Sequence, residues 1–291
     1  GQRMLTSGLR ICNFILLVIS NIKNSDLKNV KKHGGWKMTE KEIIKYIDAG
    51  ANFYVSMFGR AEHMEVVDNG FYTYIKPKAG EYGITFIYDI RIGELPAERQ
   101  KILIDEIKSL NMPVWLDLLA EDELYRLVYG KAKVHGQTAL SDEDEVYLAM
   151  LPEEKPLYHT GSAKIVQVQS AGEFAVWAKI ANDILAGGKP DMHPVYHYPL
   201  CEKGLMQCYV LYDGNTPVSV ASIMNNDGIA SLELVAAIPE MRRRGFAKAV
   251  CEKAICDTFA RGAKIITVRA VNAAAGRLYQ SMGFKAYNYA I

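Results

Sequence analysis

The stretch Glu233-Leu-Val-Ala-Ala-Ile-Pro-Glu-Met-Arg-Arg-Arg-Gly-Phe-Ala-Lys248 sets a strand, a basic glycine turn and a helix start end to end. Leu232, Leu234, Val235 and Ile238 mark an apolar strand that Pro239 breaks. Gly245 then precedes an apolar-periodic helix whose inward residues are Ala247, Val250, Cys251, Ala254 and Ile255. Successive main-chain N–H groups at a helix start, backed by the positive end of the helix dipole, suit a diphosphate. Gly245 admits close approach of the backbone and Ala247 keeps the next position small. Arg242, Arg243, Arg244 and Lys248 put positive charge where anionic oxygens would lie. Three arginines ahead of a helix also fit a plain solvated face, so the spacing Arg-x-x-Gly-x-Ala needs support from the rest of the chain.

That support lies downstream. After the helix comes the β-branched strand Lys264-Ile-Ile-Thr-Val-Arg269, then Asn272 as a helix cap. A short helix follows with Ala275, Leu278, Tyr279 and Met282 on one face, closing at Gly283-Phe284. Arg242-x-x-Gly245-x-Ala247 followed by Asn272-x-x-Ala275-x-x-Leu278-Tyr279-x-x-x-Gly283-Phe284 resembles the GNAT superfamily of acetyl-CoA-dependent N-acetyltransferases, over roughly residues 163–291. The resemblance implies an α+β fold, a central mixed and mostly antiparallel sheet flanked by helices, with acetyl-CoA as cosubstrate. It implies that the Glu233 strand splays from the Ile265 to Val268 strand and that pantetheine enters the gap, pairing with main-chain groups at Val235 and Ala237. The diphosphate would rest on Arg242, Arg243, Arg244, Gly245, Phe246, Ala247 and Lys248, with Asn272 touching the coenzyme besides capping its helix. Glu233 matches a glutamate that some members use as a base through water, and Tyr279 a tyrosine placed near the coenzyme sulfur as general acid. On their own chemistry, Glu233 is equally an acid facing solvent or pairing an arginine, and Tyr279 a core aromatic; its ring can pack while its hydroxyl reaches the sulfur.

With 291 residues and 49% hydrophobic content, the chain has enough apolar material for two ordinary cores. A net charge of +1 removes any general electrostatic case for nucleic acid or an anionic membrane, so a basic site must be local. Cys12, Cys201, Cys208, Cys251 and Cys256 are an odd, scattered set without a Cys-x-x-Cys pair. They argue against a disulfide framework or a zinc site and for a reducing cytoplasm. The six histidines offer no metal set: His193 and His197 are four apart, but Pro194 and Pro199 argue against a regular helix there. Their loop, with Asp191, Tyr196 and Tyr198, falls where the resemblance puts the acceptor wall, so Asp191, His193, Tyr196 and His197 are substrate candidates; an ordinary surface loop is the other reading.

The apolar run Ile11 to Ile22, preceded by Arg3 and Arg10, has the outline of a signal peptide. It is too short to span a bilayer as a helix and lacks an Ala-x-Ala-like exit. Gly34-Gly35-Trp36-Lys37-Met38 can be encoded by a GGAGG ribosome-binding sequence shortly upstream of an ATG. The expectation is a bacterial gene starting at Met38, with residues 1–37 a leader or N-terminal extension.

From Met38, Thr39 and Glu42 form a capping box ahead of a helix running to about Phe58. Strand candidates follow at Gly70 to Lys76 and Ile84 to Ile92. Then come a helix from Pro96 to Leu110, a short strand at Val114 to Leu118, a helix from Glu121 to Tyr129 and a strand at Val146 to Met150. The second half opens with a strand at Ala163 to Gln169 and a helix from Gly172 to Leu185. Strands at Met206 to Tyr212 and Pro217 to Met224 are joined by Asp213-Gly214-Asn215. The order repeats, which predicts tandem copies: residues 38–155 a degenerate GNAT-like domain and residues 156–291 the acetyl-CoA-binding one. The turn Ile92-Gly-Glu-Leu-Pro-Ala-Glu98 of the first copy holds Glu94 and Glu98 where the second holds cations, so no cofactor site is expected there. After Phe284 only Lys285 to Ile291 remain, enough for one strand. The sheet therefore ends early, or borrows an edge from the first domain or from a second subunit in a homodimer.

The functional expectation is transfer of acetyl from acetyl-CoA to a primary amine of a small molecule, with no nucleic acid or membrane partner. A catalytically silent acyl-CoA-binding or regulatory module, and acetylation of a protein's amino group, are the alternatives, because acceptor loops vary on a common scaffold.

Overall fold

A 19-residue helix, α1 (Glu40–Phe58), opens the architecture, burying Ile43, Ile44 and Ile47 on one side of its first half and Ala51, Phe53, Tyr54, Val55, Met57 and Phe58 around most of its second half. The structure is a computed structural model describing residues 38–118, 120, 122–130, 145–158 and 163–287. The expectations for residues 1–37 lie outside the described residues. Next come β1 (Met64–Asp68), β2 (Thr73–Pro77) and β3 (Phe86–Tyr88), an antiparallel three-stranded sheet in sequence order. β1 is absent from the strands expected on sequence; its hairpin to β2 is set by Asp68, which accepts the Gly70 N–H (2.8 Å), and Asn69, which accepts that of Tyr72 (3.0 Å). Helices α2 (Ala97–Ser109) and α3 (Asp122–Tyr129) follow, and between them Val114 bridges Ile87 in parallel.

The remaining elements build the larger sheet. They are β4 (Val146–Met150), β5 (Lys164–Gln167), α4 (Ala171–Leu185), α5 (Pro194–Glu202), β6 (Met206–Asp213), β7 (Thr216–Asn226), β8 (Ile229–Ala237), α6 (Phe246–Ala260), β9 (Ile265–Ala270), α7 (Ala273–Gln280) and β10 (Lys285–Ala286). Seven strands run in the order β10-β4-β9-β8-β7-β6-β5, all neighbours antiparallel except β8 and β9. On one face α6 buries Val250, Cys251, Ala254 and Ile255 with Tyr279 of α7. On the other, α1, α4 and α5 bury Tyr54, Phe58, Phe174, Trp177 and Leu200.

The expected shortage at the end of the sheet is met from the first half of the chain. β4 lies inside the sheet, pairing Val146 with Ala270 through to Met150 with Ile266, and β10 pairs outside it. A two-residue β10 cannot cover β9, whereas β4 can: Val146, Leu148 and Met150 enter the α6-side core while Tyr147 packs on the α1 side. A strand assigned on sequence to residues 38–155 is thus interior to the sheet of the other half, and residues 40–291 form one compact unit.

Helix α1 lies across the same sheet so closely that a Cβ on Gly50 would come 2.5 Å from Thr267 Oγ1, the hydroxyl that donates to the Ala230 carbonyl (3.2 Å). Alanine at a helix-interior glycine is ordinarily stabilising by about 1 kcal/mol. Gly50→Ala is expected to lower stability instead, by roughly 1–3 kcal/mol, because overpacking displaces Thr267. Denaturant unfolding checks the sign, and a stabilised variant would refute the contact.

Candidate active site

The strand that carries Glu233 is bulged where the chemistry is expected. Val220 and Ser222 of β7 face Ala236 and Glu233 of β8, so β8 holds one residue more than its partner, and Leu234 takes a left-handed φ of 52°. The insertion corrects the simple alternation. Alternation sets Glu233 opposite both Leu232 and Leu234, but only Leu232 enters the α6-side core; Leu234, like Glu233, lies on the α1 side. A left-handed non-glycine residue inside a strand stores strain, and such strain is held where the fold over-determines it.

The parallel β8–β9 pairing covers only Ile229 with Ile265 through Ser231 with Thr267. Beyond Ser231 no further pairing joins the two strands, which leaves a gap with Val235 and Ala237 on its β8 edge. The Ala237 carbonyl accepts from Arg242 Nε (3.3 Å).

Glu233 faces this opening with part of its surface still exposed. Burial pushes its carboxyl up to about 7, opposed by the Arg269 guanidinium and by the Ser231 hydroxyl, which donates to it. Tyr54 of α1 lies beside it, its phenol raised by burial and then by the Glu233 charge. Tyr279 enters from the other face, 6% exposed and edge-on to Phe284 at 6.0 Å. Burial raises its phenol well above the usual range, and Cys251 and Glu233 add to this, so it stays protonated at neutral pH. Glu233 and Tyr279 thus approach from the two faces of the sheet, both with raised proton affinities and the Glu233 charge adding to that of Tyr279.

The turn after β8 is a short 3-10 segment, Pro239–Met241, followed by Arg243 at φ 60° and Gly245 at φ 82°, ψ 0°. The first α6 hydrogen bond runs from Ala249 N–H to the Gly245 carbonyl (2.9 Å), which leaves the N–H groups of Phe246, Ala247 and Lys248 off the helix end. A Cβ built on Gly245 meets nothing within 4 Å, so the space over this helix start is open. The four cations differ. Arg244 pairs with Asp213 (3.0 Å) and stacks over Phe246 (4.8 Å), and Lys248 Nζ donates to the Ser281 carbonyl (3.2 Å). Arg242 and Arg243 are exposed on the turn itself. Asn272 caps α7, accepting the Ala275 N–H (2.9 Å).

The segment expected as a loop from Gly187 to Pro199 is helical from Pro194. Pro194 occupies the first position, where its missing N–H costs nothing, and Pro199 forfeits one bond within α5. The acceptor candidates of this region are held against the first half of the chain. Tyr196 donates to Glu81 (3.1 Å) and stacks on His63 at 4.0 Å, and Asp191 accepts from Tyr82 (2.8 Å). His193 caps α5, and its N–H donates to Nδ1 of His197 (2.9 Å), a buried ring whose pKa burial lowers to about 4. Among the described residues no group of histidine, cysteine, aspartate and glutamate has metal-binding geometry, and no helix is long and apolar enough to cross a membrane.

Residues that sequence reasoning does not single out complete the α1 side of the gap. Besides Tyr54 they are Trp115, Tyr147 and Arg269, whose guanidinium stacks over the Trp115 ring at 4.2 Å. The one signal in the sequence is a lone cation at an inward position of the strand ending Thr267-Val-Arg269.

Residues 176–284 match the model of the Acetyltransferase (GNAT) family. Among solved structures, the chain is similar to a GCN5-related N-acetyltransferase from Kribbella flavida at 18% identity, with 82% of this chain and 92% of that chain covered and a TM-score of 0.56. It is also similar to a GCN5-related N-acetyltransferase-like protein from Streptococcus suis (14% identity, 83% and 95% covered, TM-score 0.46). A search of curated protein sequences found no match. The Kribbella likeness establishes the fold, and its coverage extends well beyond residues 176–284 into the first half.

Proposed function

We propose, from the premise that residues 176–284 form a GNAT-family acetyltransferase domain, that this acyltransferase moves acetyl from acetyl-CoA to a primary amine of a small molecule. The observation that carries the reading is the pairing of a carboxyl raised to about 7 with a protonated buried tyrosine across the β8–β9 gap, next to an open helix start. The coenzyme diphosphate lies on the N–H groups of Phe246, Ala247 and Lys248 with Arg242 and Arg243 beside it, and pantetheine follows the β8 edge at Val235 and Ala237. Arg244 and Lys248 shape the turn through Asp213 and Ser281, and Asn272 orders the start of α7.

The amine nitrogen loses a proton to the Glu233 carboxylate, directly or through water, and attacks the thioester carbonyl. As the C–S bond breaks, Tyr279 gives its proton to the departing thiolate; the products are an amide and free CoA. Tyr279→Phe is expected to lower turnover roughly tenfold to a hundredfold with acetyl-CoA affinity little changed, since the ring keeps its packing. Unaltered turnover would leave Tyr279 as packing alone.

Residues 38–155, apart from β4, serve, on this reading, as a degenerate tandem copy. They show the order helix, three antiparallel strands, helix and parallel neighbour, and their helix-start turn is closed by Gln100, which donates to the carbonyls of Gly93 and Leu95 (both 2.9 Å). Asp191, His193, Tyr196 and His197 brace the acceptor wall against this copy. Calorimetry with acetyl-CoA and CoA, then thiol release across a panel of amines, tests the function. Binding with amine-dependent release supports it; binding without release on any amine favours the silent module.

A further inference from the structure

The α1 side of the gap contains a cation that the mechanism above leaves unused. Ser231 and Thr267 are the last partners of the parallel β8–β9 ladder, so Glu233 and Arg269, each two residues further on, would face each other had the strands stayed together. The splay holds them apart. Among the described residues no carboxylate closes an ion pair with Arg269, and its one direct side-chain partner is the face of Trp115 at 4.2 Å. Glu145, Glu233, Tyr147 and Tyr54 surround it at longer range and together hold its charge firmly despite burial, the largest and opposing influence.

With the guanidinium carbon of Arg269 4.2 Å from the Trp115 ring centroid and no hydrogen bond from it to another described residue, its donors are available to a planar carboxylate, which a guanidinium receives through two parallel bonds. Leaving such a group among protein atoms without an anion is costly, and Arg269 keeps partial exposure, so a ligand can reach it. Opposite it stands the carboxyl that takes the proton of the amine. The gap therefore presents one anionic and one cationic group to a single molecule, between walls supplied by Tyr54, Trp115 and Tyr147, three residues from the first half of the chain.

We propose that Arg269 is the anion seat of the acceptor site and that the acceptor is an amino acid, its carboxylate on Arg269 and its amine on Glu233. The proposal rests on the acetyltransferase reading and adds the substrate class. It also gives the first half of the chain a task in specificity, since Trp115 orients the guanidinium.

Phenylalanine, phenylalaninamide and phenethylamine serve as matched probes. Thiol release is followed above the pH inflection of each variant, and calorimetric binding of each probe to the CoA complex is measured alongside. The wild-type protein is expected to favour phenylalanine over both others by roughly tenfold or more in kcat/KM, chiefly through KM. Arg269→Gln should collapse that preference and Arg269→Lys should restore part of it, with acetyl-CoA affinity unchanged as the control for folding. Equal kcat/KM for the three probes, or equal losses for all three in Arg269→Gln, would overturn the proposal. Carboxylate binding that Arg269→Gln removes, without turnover of any amine, would sink the transferase reading and leave the anion seat standing. Neither binding nor preference for a carboxylate would refute the seat whatever the fate of the transferase.

Discussion

Gly245→Glu is expected to abolish acetyl-CoA binding while leaving the protein folded. Folding survives because a Cβ at this position meets no atom within 4 Å, and the conformational penalty of φ 82° on a non-glycine residue is about 1–2 kcal/mol. Binding fails because the new carboxylate stands over the N–H groups of Phe246, Ala247 and Lys248, the proposed seat of the diphosphate. Two unit charges about 4 Å apart at an effective dielectric of about 20 repel by about 4 kcal/mol, roughly a thousandfold in affinity. Gly245→Ala separates the two effects: it carries the backbone strain without the charge and should cost about tenfold or less. Calorimetric affinity that is unchanged in Gly245→Glu would remove the cradle from this helix start.

Glu233→Gln is the second large effect, a fall in kcat of roughly a hundredfold or more with little change in coenzyme affinity. Its signature is the pH profile. A base whose carboxyl is raised to about 7 acts only when deprotonated, so wild-type activity should rise through an inflection near 7, and the variant should lose that inflection. The same shift has a stability sign. The native carboxyl binds its proton more tightly than the unfolded chain, whose value is near the usual 4.5. Stability therefore falls as pH rises from about 4.5 through 7, and the Glu233→Gln variant should show a flatter slope across that window. A variant that keeps the wild-type inflection would assign the titration to another group.

Where a function depends on residues close in sequence, the linear chain displays it. Arg242 to Lys248 is one turn and one helix start, and its glycine, small residue and cations are local requirements of an anion site. Asn272 likewise caps a helix that begins at the next residue, and the one-sided burial of α6 follows from spacing. Glu233 and Tyr279 are legible as candidates, though their raised proton affinities arise only from burial on the two faces of the sheet.

The rest comes from long-range packing. The extra residue in β8 is invisible as a pattern because a bulge is fixed by how β7 and β8 register over many residues, and it moves Leu234 to the face that alternation denies it. α5 tolerates Pro199 because its surroundings hold the helix through Tyr196, Asp191 and His197. The insertion of β4 between β9 and β10 joins residues more than a hundred positions apart, which no local propensity encodes. The turn and helix start at Arg242 to Lys248, proposed as the phosphate cradle, are therefore properties of the linear chain, since they rest on neighbours within a few residues. The opening between β8 and β9, and the meeting of Tyr54, Trp115 and Tyr147 with Glu233 and Arg269, exist only in the folded molecule, because apolar burial between distant segments sets which faces touch.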